Sequence, residues 1–287
     1  MASLNPSTDI STFINPIFDG ALLIAREQNI MVNPAMVRVM NDRTGLALRK
    51  NSQYGGMTIN AITETDDLVG QTFTPSVIAT LTPAEAGGQY FLTDSRVESD
   101  PFNVRQDAQQ DMGEAMATKM DTDMLGLFSS FTGGTLGAAG TVITWGHVFA
   151  AEAQLRAQKA PYPYFLTLHP YHWAVLAKAA SVASGPATNI APSLAEQVNT
   201  NFWVRTVAGL NIFISANLSI DANQDCHAGM WSRDALAMDI RRAPRIEPDR
   251  KPSRRGWELN LSTVYAKGVW RPTFGIDMFF DASKPTS

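Results

Sequence analysis

The sequence predicts an α+β fold built in the order arm, β projection, long helix, α+β insertion and closing strands. Three observations predict it. Residues 51–99 are rich in Thr, Val, Ile and Phe and punctuated by Gly-Gly pairs and prolines, which is strand and turn chemistry. Residues 101–130 place Val104, Ala108, Met112, Ala115, Met116, Met120, Leu127 and Phe128 at three- and four-residue steps, the period of a helix. Near the C-terminus Trp257, Leu259, Leu261, Thr263 and Tyr265 alternate, the period of a strand with one buried face.

The first fifty residues are interrupted by Pro6, Pro16 and Pro34, with a short helix expected at ALLIAREQ, so they form an arm rather than a compact unit. Residues 51–95 contain no Lys or Arg but carry Glu64, Asp66, Asp67, Glu85 and Asp94, an acidic two-stranded projection. The helix then starts with Asp100 as N-cap and Pro101 in its first turn. At 1.5 Å per residue it would be roughly 45 Å long, beyond most globular helices. Its methionines are adaptable packing residues rather than a cofactor box. FTGGTLGAAGT is a flexible glycine-rich connection; no Gly-Lys-Ser/Thr follows it, so it is not a phosphate loop.

Over 145–235, WGHVFAAEAQLRAQKA predicts an amphipathic helix, YPYFLTLH a buried strand and PYHWAVLAKAAS a helix with Pro170 at its start. SLAEQVN predicts a shorter helix, and FWVRTVAGLNIFIS a hairpin turning at Ala208-Gly209. DALAMDIRRAPRIE and GWELNLSTVYAKGVWRPTFGIDMFF close the chain as strands, with the basic segment from the end of one into the loop before the next.

Composition narrows the class. The 287 residues are 45% apolar and only 17% charged, against a usual quarter, so surface is hidden in a core or against other copies. One cysteine, Cys226, excludes an internal disulfide framework and fits a reducing compartment. The N-terminal residues lack the pattern of a signal peptide, and no apolar run of about eighteen residues is present, so a soluble protein made in the cytoplasm is expected.

No catalytic constellation emerges. His169 and His172 are three apart but lack further ligands nearby. Asp221, Asn223 and Asp225 begin like a calcium loop, yet Cys226 stands where Gly is needed and Ser232 where Glu is needed, leaving a turn-rich surface loop. Ser129 and Ser130 lack a nucleophile elbow, and Cys226 and His227, adjacent on a strand, point to opposite faces. Catalytic, cofactor-binding and metal residues are all expected to be none.

The net charge is −4, but Arg241 to Gly256 holds seven Arg or Lys against Glu247 and Asp249, a net of +5, so the remainder carries −9. Three readings stay open for this island: phosphate neutralisation, docking of the acidic projection, or a solvated loop. Pro244, Pro248 and Pro252 break it, and it matches no helix-turn-helix, zinc-finger or RNA-binding signature.

TLTPAEAGGQYFLTDSRVESDPFNV, QQDMGEAMATKMDTDML, WSRDALAMDIRRAPRIEPDR and YAKGVWRPTFGIDM, in that order, resemble the major capsid proteins of tailed bacteriophages, the Hong Kong 97-type fold, over about 20–280. The resemblance implies residues 1–50 as N-terminal arm and 51–98 as extended β loop. It makes 99–144 a peripheral domain with the spine helix, 145–235 an axial domain, and 236–287 the peripheral closing strands and tail. It implies a structural, non-enzymatic protein whose pentamers and hexamers form an icosahedral head around double-stranded DNA. Implied partners are a portal, a separate scaffolding protein, non-specifically packaged DNA and, where present, a decoration protein. The resemblance also implies no membrane partner and a location in the virion, assembled in host cytoplasm. The alternative with the same fold is an encapsulin-like shell around cargo enzymes; a metal hydrolase using His169 and His172 and a DNA-binding module are the other classes. Some family members weld subunits through a loop lysine; this loop has none, so that cross-link is expected to be absent. In the family the extended loop crosses a neighbour's peripheral domain, so Glu64, Asp66, Asp67 and Glu85 are expected to face Arg250, Lys251, Arg254 and Arg255 between subunits. Each exposed pair is weak; repetition at every interface would set register.

Overall fold

The computed structural model describes residues 30–41, 46–54, 56–62, 64, 70–99, 104–182, 206–207 and 209–285. The helices expected at ALLIAREQ and SLAEQVN, the cap at Asp100 and Pro101, and Asp66 and Asp67 lie outside them. The order is β1 (Arg38–Met40), β2 (Arg49–Tyr54), β3 (Pro75–Leu81), β4 (Ala84–Thr93), α1 (Asp94–Ser99), α2 (Val104–Leu125) and β5 (Thr135–Gly137). There follow α3 (Trp145–Ala157), β6 (Tyr164–Leu168), α4 (Pro170–Val182), β7 (Thr206–Val207), β8 (Leu210–Ile214) and β9 (Asp225–Ser232). β10 (Leu236–Lys251), β11 (Gly256–Val269) and β12 (Gly275–Asp281) close the chain.

Three sheets form. A four-stranded sheet runs β1-β10-β11-β4, a six-stranded sheet runs β5-β12-β9-β6-β8-β7, and β2 and β3 pair alone as a hairpin. The hairpin expected around Gly209 is present as the antiparallel β7–β8 pair, with Gly209 at φ +85°, a region open to glycine. The alternation in β11 buries Leu259, Leu261, Thr263 and Tyr265. β6 is buried at all five positions because β8 and β9 flank it and both faces are covered.

α2 is 22 residues, about 33 Å at 1.5 Å per residue, shorter than the sequence suggests. Met112, Met116, Met120 and Met124 recur every fourth residue and are all buried. Phe128 extends that stripe in a short 3-10 turn and packs on Trp231 with ring centroids 5.0 Å apart. Asp121 is fully buried on the same helix, where its carboxylate accepts from the backbone N–H groups of Ile30 and Met31 (2.9 and 2.8 Å) and from Asn217 Nδ2 (2.8 Å). One side chain therefore joins the entering chain, the long helix and the loop after β8.

Several expectations are corrected. Residues 84–93, grouped by sequence with the projection, pair along β11 instead. The closing strand, expected over DALAMDIRRAPRIE with a loop after it, runs on to Lys251. Its prolines are tolerated because β1 covers β10 only over Ala237–Asp239, and no other described strand lies on that side. Register shifts between Ile240 and Arg245 absorb the mismatch with β11. In the supposed surface loop, Asp221 accepts from the N–H of Asn223 and Asp225 in a local turn, and a buried strand begins at Asp225. The glycine-rich connection contains β5, parallel to β12; at Gly137 (φ +86°) a side chain would collide with the Phe279 carbonyl.

Candidate assembly interface

The projecting hairpin is bolted to the four-stranded sheet at its base. Arg49 Nε and Arg241 Nη2 both donate to Asp239 Oδ2 at 2.8 Å, Arg241 Nη2 also reaches the Ala47 carbonyl (2.9 Å), and Asn51 Nδ2 donates to the Trp270 carbonyl (2.8 Å). Asp239 is fully buried, so both guanidinium bonds work where water does not compete. Beyond this base the hairpin is apolar and exposed: Met57 is 79% and Ile59 87% accessible, with Leu46, Ile62, Phe73 and Val77 also exposed. Gln71 staples its two limbs, its side-chain amide exchanging two hydrogen bonds with the Thr58 backbone. A folded chain does not gather so many bare apolar side chains on one projection without a surface to cover them.

The basic segment is neutralised largely within its own chain. Arg241 pairs with Asp239, Arg242 with Glu85, Arg245 with Glu247, Arg250 with Asp94, Lys251 with Asp249 and Glu258, and Arg254 with Glu258. Arg250 and Arg105 also lie over the Trp257 ring, and Arg254 over Phe91. Of the residues singled out by sequence, Glu85, Arg250, Lys251 and Arg254 thus have partners in their own chain. Glu64 sits exposed in a turn of the projection, and Arg255, left-handed at φ 50° in the β10–β11 turn, is exposed with no acidic partner among the described residues. Sequence reasoning counted Asp94 in the acidic projection but gave it no partner, and missed Asp239 and Glu258. Of the two missed, only Glu258 carried a signal, standing four residues after Arg254.

The catalytic lures dissolve into packing. His169 and His172 are buried with rings 6.4 Å apart; His172 Nε2 meets the Phe280 carbonyl at 3.3 Å. Among the described residues no group of three or more His, Cys, Asp or Glu is placed to hold a metal. Cys226 is buried and its thiol is pushed up to about 12 by burial and by Asp221, while His227 points outward to Asp277 at 2.8 Å. No described helix is long and apolar enough to cross a membrane.

Burial, aided by the charge of His172, pulls the His169 imidazole down to about 4 from 6.5. Burial likewise lowers His172, against the opposing Phe280 carbonyl and Asp281. Both rings are kept neutral in the folded chain, whereas the unfolded chain takes up protons below pH 6.5. Stability is therefore lost as pH falls from 6.5 to about 4, by about 3 kcal/mol for His169 alone. Denaturant titrations of unassembled subunits at pH 7, 5 and 4 should show this, and His169→Gln should flatten the slope. Asp123, whose carboxylate is held below its usual value by Lys119, Lys267 and Tyr265 despite burial, adds a loss only below about pH 4.

A sequence profile described as phage capsid protein matches residues 76–277, from within β3 to within β12. The chain belongs to the phage capsid protein family. Solved structures agree at the level of the fold. A chain in the capsid structure of cyanophage P-SCSP1u is similar at 15% identity and TM-score 0.72, with 98% of this chain and 100% of that one covered. A chain of Mycobacterium phage Che8 is similar at 14% identity and TM-score 0.73, covering 91% and 94%. A chain of Gordonia phage Cozz is similar at 15% identity and TM-score 0.67, covering 94% and 91%. A comparison with curated protein sequences finds no significant match. The mixed helix-and-sheet capsid fold therefore spans nearly the whole chain. The family match begins inside β3, so the bare limbs of the projection before it lie outside the matched range.

Proposed function

We propose that this capsid protein is the major head subunit of a tailed phage, many copies of which close into an icosahedral shell around double-stranded DNA. The observation that carries the reading is the bolted, apolar, exposed projection in a chain of the capsid family. In this reading residues 1–50 are the arm, 51–83 the extended loop, 84–144 with 236–287 the peripheral domain, and 145–235 the axial domain of a Hong Kong 97-type subunit. Pentamers and hexamers are the building units, portal and scaffolding proteins the assembly partners, a decoration protein an optional one, and host cytoplasm the place of assembly. The role is structural, without catalysis.

Electron microscopy of the purified protein, alone and with its scaffold, should show closed shells or capsomers. Monomers under both conditions, or shells filled with enzymes and free of nucleic acid, would overturn the reading. Within it, Asp66 and Asp67 stay candidates for the inter-subunit charge contact, and of the described ones Arg255 and Glu64 remain, since Glu85, Arg250, Lys251 and Arg254 are paired in their own chain. Arg255→Glu should lower shell yield several-fold, and Glu64→Lys on the same chain should restore it. Unchanged yield in the single variant would remove charge from the contact.

A further inference from the structure

The chain has four histidines, on α3, just after β6, on α4 and on β9, and the fold gathers all of them about β12. Between centroids, the His147 ring lies 4.8 Å from that of Phe280 and the His227 ring 4.3 Å from that of Phe279. His172 Nε2 meets the Phe280 carbonyl at 3.3 Å, and the His169 ring stands 6.4 Å from that of His172. Facing this buried pair are Tyr171 of α4, against the His169 ring, and the Asp281 carboxylate at the end of β12.

Neither buried ring has a place for a second proton. His169 directly precedes α4, and its Nδ1 accepts from the Tyr171 N–H at 3.2 Å, the bond of an N-cap. A proton on Nδ1 would turn that acceptor into a donor and set a cation at a helix N-terminus, against the macrodipole. With Nε2 donating to the Phe280 carbonyl, His172 Nδ1 has no hydrogen-bond partner among the described residues. A proton there would be a buried donor with nothing to receive it. Protonating one ring undoes the first turn of α4, and protonating the other undoes its seat on β12.

The two elements are held differently. β12 is laced by its backbone: it pairs with β9 from Gly275 to Asp281 and with β5 over Asp277–Phe279. The N–H groups of Asp281 and Ala282 also reach the Thr141 and Gln224 carbonyls. His227 Nδ1 lies 2.8 Å from Asp277 Oδ1, and a proton taken up by His227 makes that contact an ion pair. α4 satisfies its backbone internally. It is seated by Trp173, Leu176 and Ala177, all buried, and by a hydrogen bond from Trp145 Nε1 to the Leu176 carbonyl at 3.1 Å. Such a helix can leave without breaking a strand ladder.

We propose that α4 is an acid-released flap: proton uptake at His169 and His172 lifts it from the six-stranded sheet while β9 and β12 stay paired. Opening bares the apolar face of Trp173, Leu176 and Ala177. Burial and the charge of His172 pull the His169 imidazole down to about 4 when the flap is closed, whereas the open flap takes up the proton near 6.5. Between pH 7 and pH 5 the open population therefore rises roughly twentyfold through His169 alone.

Hydrogen exchange of full-length subunits at pH 7 and pH 5, corrected for the pH dependence of the chemical exchange rate, tests it. Amides of 173–182 should lose protection by at least about tenfold at pH 5, while those of 225–232 and 275–281 keep theirs. Protection lost equally in α4 and β12, or unchanged in α4, overturns the flap. A second measurement uses the pair His169→Asn and His172→Gln. The asparagine keeps an acceptor for the Tyr171 N–H, the glutamine keeps a donor for the Phe280 carbonyl, and neither titrates. This double variant should be equally protected at both pH values; a loss in α4 as large as in the wild type would refute the role of the two rings.

Discussion

Replacing Asp121 by alanine should destabilise the unassembled subunit by about 4 kcal/mol, since each bond to a buried charged acceptor contributes roughly 1.5 kcal/mol or more and stranded donors add a penalty. Ile30 N, Met31 N and Asn217 Nδ2 all lose their acceptor, and none has water to replace it, because Asp121 is fully buried. In a chain of this size that lowers the melting midpoint by on the order of 10 °C. Urea titration of subunits measures the free energy directly. Asp123→Ala is the control. Asp123 also collects three donors, Lys119, Lys267 and Tyr265, but its side chain is 13% accessible and its lysines are 58% and 37% accessible. Water replaces much of what is lost there, and the cost should be less than half as large. Equal costs for the two variants would mean that burial of Asp121 does not set its contribution.

Trp231→Ala should cost a similar amount, about 4 kcal/mol, the range for removing a large aromatic from a packed core. Trp231 is fully buried, lies 5.0 Å from Phe128 and 6.1 Å from Phe165 between ring centroids, and donates from Nε1 to the Met36 carbonyl at 3.1 Å. The loss divides in two. Trp231→Phe keeps most of the packing but strands the Met36 carbonyl, so it should cost roughly 1–2 kcal/mol. Denaturant titration of both variants separates the terms, and a phenylalanine variant as damaged as the alanine one would assign the effect to the hydrogen bond. Both variants act on the same join, since Met36 and Met31 follow directly from the entering chain that Asp121 holds.

Periodicity made much of the fold legible. The four methionines of α2, the alternation of β11 and the apolar run of β6 record burial directly, because side-chain spacing follows the geometry of the element that carries it. Element ends were less legible. β10 continues through Pro244 and Pro248 because no described strand pairs with its outer side beyond Asp239, and nothing local to those residues reports what lies beside them. Strand β4 was grouped with the projection for the same reason: its composition suits either place, and only its pairing with β11 separates them.

The candidate site divides along the same line. A lysine-free acidic projection and a cationic island of opposite sign are properties of composition, and so is the order of elements that resembles a capsid subunit; the sequence by itself determined these. Which charges meet was decided only by the tertiary structure. Asp94, Asp239 and Glu85 come from outside the basic segment and reach Arg250, Arg241 and Arg242 through strand pairing and the α1 turn, so a segment of net +5 is answered within its own chain. Coulomb attraction falls off over a few ångströms of shared surroundings. Opposite charge in a sequence therefore names possible partners, and the fold selects among them.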